Sequence, residues 1–344
     1  MKLLQLLHQA QALQASDLHL CSGNRPAVRI DGRLLFMEGE EPLSAEQTMA
    51  MACAIMDKRA RAEYEERGEA DFVLTWWGCC RCRVNVYRRQ GSLSAAIRML
   101  PERPPSCGSL QLPAAVCRMA ELDHGLVLVS GPAGSGKSTT LAALIDKINS
   151  ERNLHIITLE DPVEFLHGSR KCLVSQRSVG RDTADFASGL RSALREDPDV
   201  ILVGELRDWE TMSAALLAAE TGHLVLATLH TADAAGTVNR ILDACPGGRE
   251  RAGCLLASCL QGIVCQQLVP RASGKGRAAV FEVLTATEAL RSMIREGRTH
   301  QLHSYIQTGA RLGMMTMAAC REKLAREGII AGNQAGSAAR GTQL

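Results

Sequence analysis

The chain has 344 residues, of which 46% are hydrophobic, so it is long enough and apolar enough to form two domains with separate cores. Its 39 lysines and arginines nearly balance its 37 aspartates and glutamates, and aromatic residues make up only 3%. These values argue against a nucleic-acid-binding face or a stacking platform for single strands, so we expect no nucleic-acid partner. No apolar run approaches the roughly 20 residues of a membrane helix, so we expect no direct membrane insertion.

The first residues, MKLLQLLHQAQALQA, imitate a signal peptide only superficially. Glutamines and a histidine interrupt the apolar stretch that such a peptide would need. Leu3, Leu4 and Leu7 instead suit one face of a helix. We therefore expect an amphipathic first helix in a cytoplasmic protein.

Residues 1–100 have the pattern of a small α+β domain. After the first helix, SDLHL and AVRIDGRLLFM alternate like half-buried strands around a turn at Asp31-Gly32. SAEQTMAMACAIMDKRARAEYEE predicts a helix with Ser44 as its N-cap. ADFVLTWW and RCRVNVYRRQ then predict two further strands.

The 13 cysteines are scattered, and their tightest cluster is Cys79, Cys80 and Cys82. No spaced histidine or second cysteine pair completes a tetrahedral metal site around this cluster. The pattern therefore favours reduced thiols in a reducing compartment over a structural metal.

Residues 101–113, PERPPSCGSLQLP, contain four prolines and predict an interdomain linker. Beyond it, the apolar segments GLVLVSG, LHIITLE, DVILVGE and HLVLATL alternate with helical patterns. This predicts a mostly parallel α/β sheet covered on both faces, in a domain spanning 114–330 with a helical C-terminal part. The polar, Gly- and Ala-rich residues 331–344 predict a disordered tail.

A phosphate-binding loop follows the first of these strands. The motif G-x-x-x-x-G-K-S lies between an apolar strand and a helix, as phosphate binding requires. Its glycines let the backbone amides face the phosphates, and the helix adds its N-terminal dipole. We expect Lys137 to reach the β- and γ-phosphates of ATP and Ser138 to hold Mg²⁺. The predicted nucleotide-contacting residues are Gly131, Pro132, Ala133, Gly134, Ser135, Gly136, Lys137, Ser138 and Thr139.

Two acidic residues follow buried strands downstream of this loop. DVILVGE ends in Glu205, and LHIITLE ends in Glu160. The ends of parallel strands meet at one sheet edge, where ligands bind in open α/β sheets. Many such ATPases place an aspartate where this chain has Gly204, so we expect Glu205 to serve Mg²⁺ or the attacking water. Glu160 is the second candidate for positioning that water.

The strand HLVLATL ends in His230, which should emerge at the same edge. A neutral imidazole can donate to a phosphate oxygen and accept from a neighbour, so His230 could report the presence of the γ-phosphate. The alternative is that this residue only helps Thr231 and Asp233 to cap the next helix. His223, at the start of the strand, should lie at the far end of the sheet.

Taken together, the motifs resemble those of the type II/type IV secretion ATPases, and in particular the pilus-retraction branch of twitching motility. The phosphate loop, ITLEDPVEF, LREDPDVILVGELRD and TGHLVLATLHT occur in the family's order. SDLHL and RIDGRL resemble its N-terminal PAS-like domain, and EALRSMIREGRTHQLHSYIQTG resembles its C-terminal retraction motif. The resemblance implies a RecA-like P-loop ATPase core and covers residues 1 to about 330. Ala133 and Leu206 depart from the family's usual residues.

The resemblance also implies an assembly and a site of action. It implies a homo-hexamer in which each nucleotide lies between the two domains of a chain, with Arg83 and Arg98 completing the site. The implied partner is the inner-membrane platform protein of a type IV pilus. The protein would then be cytoplasmic and peripherally associated with the inner face of the membrane. Arg291 and Arg295, in the retraction motif, are expected on one helix face with a role in transmitting motion.

The predicted chemistry is attack of water on the γ-phosphate, with Lys137 and Mg²⁺ neutralising charge and His230 coupling the γ-phosphate to the core. The alternatives are a related secretion or pilus-assembly ATPase and, less well supported, a RecA-like nucleic-acid translocase. A small-molecule kinase lacks a visible acceptor site, and a non-hydrolysing regulator would not need both glutamates.

Overall fold

In the computed structural model, which describes residues 2–76, 80–101 and 103–332, the chain divides into two units, residues 1–103 and the residues from 104 onward. The first unit is built on a six-stranded sheet in the order β3-β2-β1-β6-β5-β4, in which neighbouring strands are antiparallel. Its elements are α1 (Lys2–Ala12), β1 (Asp17–Leu20), β2 (Ala27–Ile30), β3 (Arg33–Phe36), α2 (Ala45–Cys53), α3 (Lys58–Arg67), β4 (Glu69–Trp76), β5 (Cys80–Arg89) and β6 (Ser92–Leu100).

One face of this sheet is apolar because alternate residues of the strands point to opposite sides. Leu18, Ile97 and Val84 lie on that face and are fully buried against the helices of the unit. The helix predicted after Ser44 is two helices, because the Asp57 carboxylate accepts a hydrogen bond from the Ala60 amide and starts α3 anew. Ser44 caps α2 as predicted, in a capping box with Gln47.

The second unit is built on a seven-stranded sheet in the order β13-β12-β7-β11-β10-β8-β9. All neighbouring strands are parallel except β12 and β13, which form an antiparallel hairpin. The strands are β7 (Gly125–Ser130), β8 (His155–Glu160), β9 (Leu173–Ser178), β10 (Val200–Val203), β11 (Leu224–Leu229), β12 (Leu260–Pro270) and β13 (Arg277–Thr285). The mostly parallel α/β sheet predicted from the sequence is therefore confirmed.

Helices cover both faces of this second sheet. The helices are α4 (Ala114–Arg118), α5 (Lys137–Glu151), α6 (Phe186–Ala193), α7 (Trp209–Glu220), α8 (Ala234–Ala244), α9 (Arg249–Cys259), α10 (Glu288–Arg295), α11 (Leu302–Thr308) and α12 (Met317–Arg326). Alternate residues of β7 enter different cores: Leu126 and Leu128 pack towards α7 and α8, whereas Val127 and Val129 pack towards α5. Strand β7 is thus buried on both sides, which fixes the phosphate loop that follows it.

Part of the segment predicted as a linker folds onto the second unit. Residues 107–111 form turns, Leu112 is buried, and Leu110 packs against the core beside α5. The Cys107 thiol donates to the Ala143 carbonyl at 3.5 Å. Residues 107–112 therefore pack as part of the second unit, and the segment 101–113 is not a free linker over its whole length.

Some sequence predictions fall on parts of the chain outside the described residues. Residues 333–344 of the predicted tail are among them, and so are Cys79 and the side chain of Cys80. Cys82 is buried, with its thiol 3.7 Å from the sulfur of Met99. Within the described ranges, no helix combines the length and apolarity needed to cross a bilayer.

Candidate nucleotide site

The phosphate loop joins the end of β7 to the start of α5. Gly131, Gly134 and Gly136 have φ values of 147°, 73° and 90°, in the region that favours glycine. A Cβ atom at Gly131 would lie 2.2 Å from the backbone carbonyl oxygen of Gln266. One at Gly136 would lie 2.8 Å from the side-chain amide nitrogen of Gln266. Both backbone conformation and space therefore require glycine at these two positions.

The polar groups of the loop fit a phosphate. The Lys137 ammonium donates to the carbonyls of Gly131 and Pro132, at 2.7 and 3.0 Å, and burial lowers its pKa while the charge of Glu205 opposes that change. The hydroxyl of Ser135 is buried and has no hydrogen-bond partner within the described part of the chain. Ser138 is exposed in the first turn of α5. A bound phosphate would give these donors an anionic partner at a helix N-terminus.

Gln266 on β12 is a site residue that sequence reasoning missed. Its side chain is 3% exposed, and its amide oxygen accepts a hydrogen bond from the Thr140 hydroxyl of α5 at 2.7 Å. It therefore packs beneath Gly131 and Gly136 while holding the first helical turn. No local pattern marks it, because its role depends on β12 pairing with β7.

Replacing Gln266 with leucine should lower the free energy of unfolding by about 1–3 kcal/mol, because the buried Thr140 hydroxyl loses its acceptor. ATP affinity should fall as well, since the loop loses its support. Denaturant unfolding and nucleotide titration would measure both effects. Adding Thr140→Val should recover much of the lost stability, because two apolar partners leave no unpaired polar group. Additive losses in the double variant would contradict this account.

Glu205 and His230 meet at the carboxyl edge of the sheet. The Oε1 atom of Glu205 lies 3.4 Å from Nε2 of His230, and its Oε2 atom accepts a hydrogen bond from Arg207 Nε at 2.7 Å. Arg207 Nη1 also lies 3.9 Å from the Asp161 carboxylate. The structure thus brings together Glu205 and His230, and Lys137 is close enough for the charge of Glu205 to act on it; all three residues were selected from the sequence.

Backbone packing disfavours a side chain at position 204, next to the acidic residue Glu205. A Cβ atom at Gly204 would lie 3.2 Å from the carbonyl oxygen of Leu159, 3.3 Å from Cα of Glu160 and 3.4 Å from the ring of Phe186. A side chain at position 204 would therefore be tight against β8, which would have to shift by a few tenths of an ångström, whereas Glu205 carries the carboxylate without that contact.

Glu160 has a different environment from Glu205. Its Oε1 atom accepts hydrogen bonds from the Thr158 hydroxyl at 2.7 Å and the Gln176 amide at 3.3 Å. Burial raises the pKa of the Glu160 carboxyl, and these two hydrogen bonds only partly oppose that shift. Strands β11 and β10 lie between β7 and β8. The backbone of Glu160 is therefore about 14 Å across the sheet from the end of β7, where the phosphate loop begins.

His230 does not act as the cap of α8. Asp233 is the N-cap, and its carboxylate accepts from the Gly236 amide at 2.6 Å. Thr231 instead contacts the Ser130 hydroxyl at 2.5 Å and the Thr237 hydroxyl at 2.6 Å, which ties the end of β7 to α8. The His230 ring is left facing Glu205. His223, at the opposite end of β11, contacts the Ala218 carbonyl at 2.9 Å.

Arg83 and Arg98 belong to the first unit, where they are directly opposite each other on β5 and β6. Both side chains are on the face of the sheet away from the apolar core. The Arg98 side chain is 65% exposed and that of Arg83 is 40% exposed. They are therefore available to a ligand or partner on that face.

The sequence matches the family described as Type II/IV secretion system protein over residues 3–334. The chain belongs to this family. It is 44% identical over 332 residues to the type IV pilus retraction ATPase PilT of Pseudomonas aeruginosa, covering 96% of each chain. It is 43% identical over 326 residues to a twitching motility protein of Neisseria gonorrhoeae, covering 93% of this chain and 87% of that protein.

The fold agrees with this assignment. The crystal structure of the pilus retraction motor PilT with bound ADP superposes with a TM-score of 0.91 at 43% identity, covering 98% of this chain and 97% of that one. The resemblance to the pilus-retraction branch is therefore confirmed, and so is the α/β core with a smaller N-terminal antiparallel unit. The protein is an ATPase, as its phosphate loop predicts.

Proposed function

We propose that this ATPase is a hexameric motor that powers retraction of type IV pili. The observation that carries the proposal is the likeness, in sequence and in fold, to a retraction ATPase over almost the full length of both chains. The same likeness supports a cytoplasmic position at the pilus base, peripheral to the membrane, with an inner-membrane platform protein as partner. Swings of the N-terminal unit against the ATPase core, through the residues around 103, would supply the motion.

The site residues take roles that follow from their chemistry. Lys137 and the amides of the phosphate loop bind the β- and γ-phosphates of ATP. Glu205, held by Arg207 and His230, orients the attacking water or a metal-bound water. Glu160 is the second candidate for that task, but its carboxylate already accepts hydrogen bonds from Thr158 and Gln176, and β8 is not adjacent to β7 in the sheet. His230 carries a change at the γ-phosphate to Glu205 and, through Thr231, to the start of α8.

Two oxygen-bearing side chains, one after the phosphate loop and one after β10, suit a magnesium ion. The Ser138 hydroxyl and the Glu205 carboxylate are both hard donors, which Mg²⁺ prefers, usually together with water and phosphate oxygens. When bound, Mg²⁺ neutralises charge on the phosphates. Arg83 and Arg98 would add positive charge to the same phosphates, completing the site in the assembled ring.

Deletion of the gene tests this function directly. The strain should keep surface pili and lose retraction, and the wild-type gene should restore retraction. A strain that loses its pili would support the pilus-assembly alternative, and one that loses protein export would support the secretion alternative. Stimulation of ATP turnover by DNA would instead support a translocase. Native mass measurement of the purified protein would test the hexamer.

The structure separates the two arginines of the retraction motif, which were expected to act together. Arg291 donates to the carbonyls of Ala257 and Ser258, at 2.5 and 3.2 Å, and so caps the C-terminal end of α9. Its side chain is largely buried, whereas Arg295 is exposed. Arg291 therefore contributes to the packing of the ATPase core, and Arg295 is the better candidate for transmitting motion.

Arg291→Ala should accordingly lower the free energy of unfolding by about 1.5–3 kcal/mol, since a charged donor to two carbonyls is lost. Arg295→Ala should change stability by less than about 0.5 kcal/mol and leave most ATPase activity, yet abolish retraction in cells. Thermal unfolding, ATP turnover and retraction assays on the two single variants would check this. Normal retraction with Arg295→Ala would remove that residue from the motor's output.

A further inference from the structure

Four charged residues form a row across the first unit's sheet. Arg29 on β2, Asp17 on β1, Arg98 on β6 and Arg83 on β5 are consecutive cross-strand partners. Residues directly opposite one another share a face of the sheet, so all four side chains emerge on the side away from the apolar core. Asp17 belongs to the SDLHL segment, which has no role in the proposed function so far.

Asp17 is the fixed member of this row. Its side chain is 13% exposed, whereas that of Arg98 is 65% exposed. The Oδ1 atom of Asp17 accepts a hydrogen bond from Arg98 Nε at 3.0 Å, and its Oδ2 atom accepts one from the Ser16 hydroxyl at 2.7 Å. Arg29 Nε lies 4.0 Å from the same Oδ2 atom.

The charge of Asp17 is kept despite its burial. Burial alone would raise the pKa of this carboxyl, but the hydrogen bonds from Ser16 and Arg98 and the charge of Arg98 outweigh burial and lower it. An ionised, buried carboxylate that accepts a hydrogen bond from the Nε–H of an arginine restricts the direction of the guanidinium. The terminal nitrogens of the guanidinium remain free to bind another group. Such a guanidinium can meet an anion without first being ordered.

Arg83 lacks an equivalent anchor. Its Nε atom lies 4.0 Å from the carboxylate of Asp71, whose side chain is 58% exposed. That carboxylate also accepts a hydrogen bond from the Asn85 amide at 3.2 Å. The neighbouring pair therefore has the same charges with looser contact and less burial.

We propose that Asp17 is a positioning residue that holds the Arg98 guanidinium in the orientation that its proposed role in hydrolysis needs. The proposal rests on the proposed role of Arg98 in completing the nucleotide site. Asp17 acts only through Arg98: it holds the Nε–H edge and leaves the terminal nitrogens of Arg98 open on the exposed face of the sheet. Loss of the carboxylate should therefore affect the rate of hydrolysis through Arg98 alone.

Steady-state ATP hydrolysis by the full-length protein tests this through a double-mutant cycle of Asp17→Asn and Arg98→Ala. We expect Arg98→Ala to lower kcat at least tenfold and Asp17→Asn to lower it at least threefold, with KM for ATP within twofold of wild type. The double variant should be no more than twofold slower than Arg98→Ala alone, because Asp17 acts only through Arg98. Asp71→Asn, the matched control, should stay within twofold of wild type.

Several outcomes would overturn the proposal, and they separate its failure from that of the proposed function. Wild-type turnover with Asp17→Asn, or additive losses in the double variant, would sink the positioning role while Arg98→Ala remains defective. Wild-type turnover with Arg98→Ala would remove Arg98 from the nucleotide site and the proposal with it. Asp17→Glu, which keeps the charge, should recover part of the rate at an unchanged melting temperature. A folding defect in both Asp17 variants would assign the residue to stability instead.

Discussion

Replacing Lys137 with alanine should abolish the thermal stabilisation that ATP and Mg²⁺ give to the wild-type protein. Lys137 is the positively charged residue of the phosphate loop, and its ammonium donates to the carbonyls of Gly131 and Pro132. At a ligand concentration of about 100 times Kd, the wild type should gain about 2.7 kcal/mol, and the variant essentially none. Thermal unfolding with and without ATP and Mg²⁺ would measure the difference.

Lys147→Ala is the matched control. Lys147 lies on the same helix α5 but pairs with Glu151 and Glu121, at 2.5 and 3.4 Å. Its loss removes the same charge from the protein without touching the loop. Stabilisation by ATP should survive in this variant. If Lys137→Ala is stabilised as strongly as Lys147→Ala, the nucleotide binds elsewhere.

Glu205→Gln should bind ATP and hydrolyse it at least about 100-fold more slowly than the wild type. The substitution keeps the size of a side chain fixed between Arg207 and His230 and removes its charge, which the attacking water requires. Single-turnover hydrolysis combined with nucleotide titration would separate the two effects. A fall in affinity equal to the fall in rate would mean that Glu205 mainly binds the metal and nucleotide.

Two further variants define what this result means. Glu210→Gln neutralises a glutamate that also pairs with an arginine, Arg191, at 2.6 Å, but on the exposed surface of α7. It should hydrolyse ATP at the wild-type rate. Glu160→Gln tests the other candidate: near-normal turnover in Glu205→Gln together with a large loss in Glu160→Gln would transfer the catalytic role to Glu160.

The ATPase sheet was predictable where apolar runs stop at polar residues. Strands β7, β8, β10 and β11 each end abruptly, and parallel topology places their ends on one edge, so Lys137, Glu205 and His230 followed from local patterns. The hairpin of β12 and β13 did not follow, because β12 begins directly after α9 with no turn residue between Cys259 and Leu260. Gln266 and Gln267 also interrupt the apolar pattern of β12, so the sequence gives little sign of a buried strand there.

The first unit shows the same limit. Strand β6 was not predicted because its hairpin turn, Gln90-Gly91, uses a glutamine with a φ of 48°, which is a weaker signal than an Asn-Gly or Asp-Gly turn. The two candidate arginines were found from family resemblance, but Asp17 was not linked to Arg98. That link depends on the pairing of β1 with β6. Asp17 and Arg98 are 81 residues apart, so no local sequence pattern predicts their contact.

The crowded backbone around Gly204 also bears on how this site can change over evolutionary time. Moving the acidic group one position back along the chain would begin with a side chain at 204, which requires the backbone of β8 to shift by a few tenths of an ångström. Removing Glu205 first would take away the carboxylate paired with Arg207. Each single-step route therefore begins with a local cost, the first in packing against β8 and the second in charge pairing.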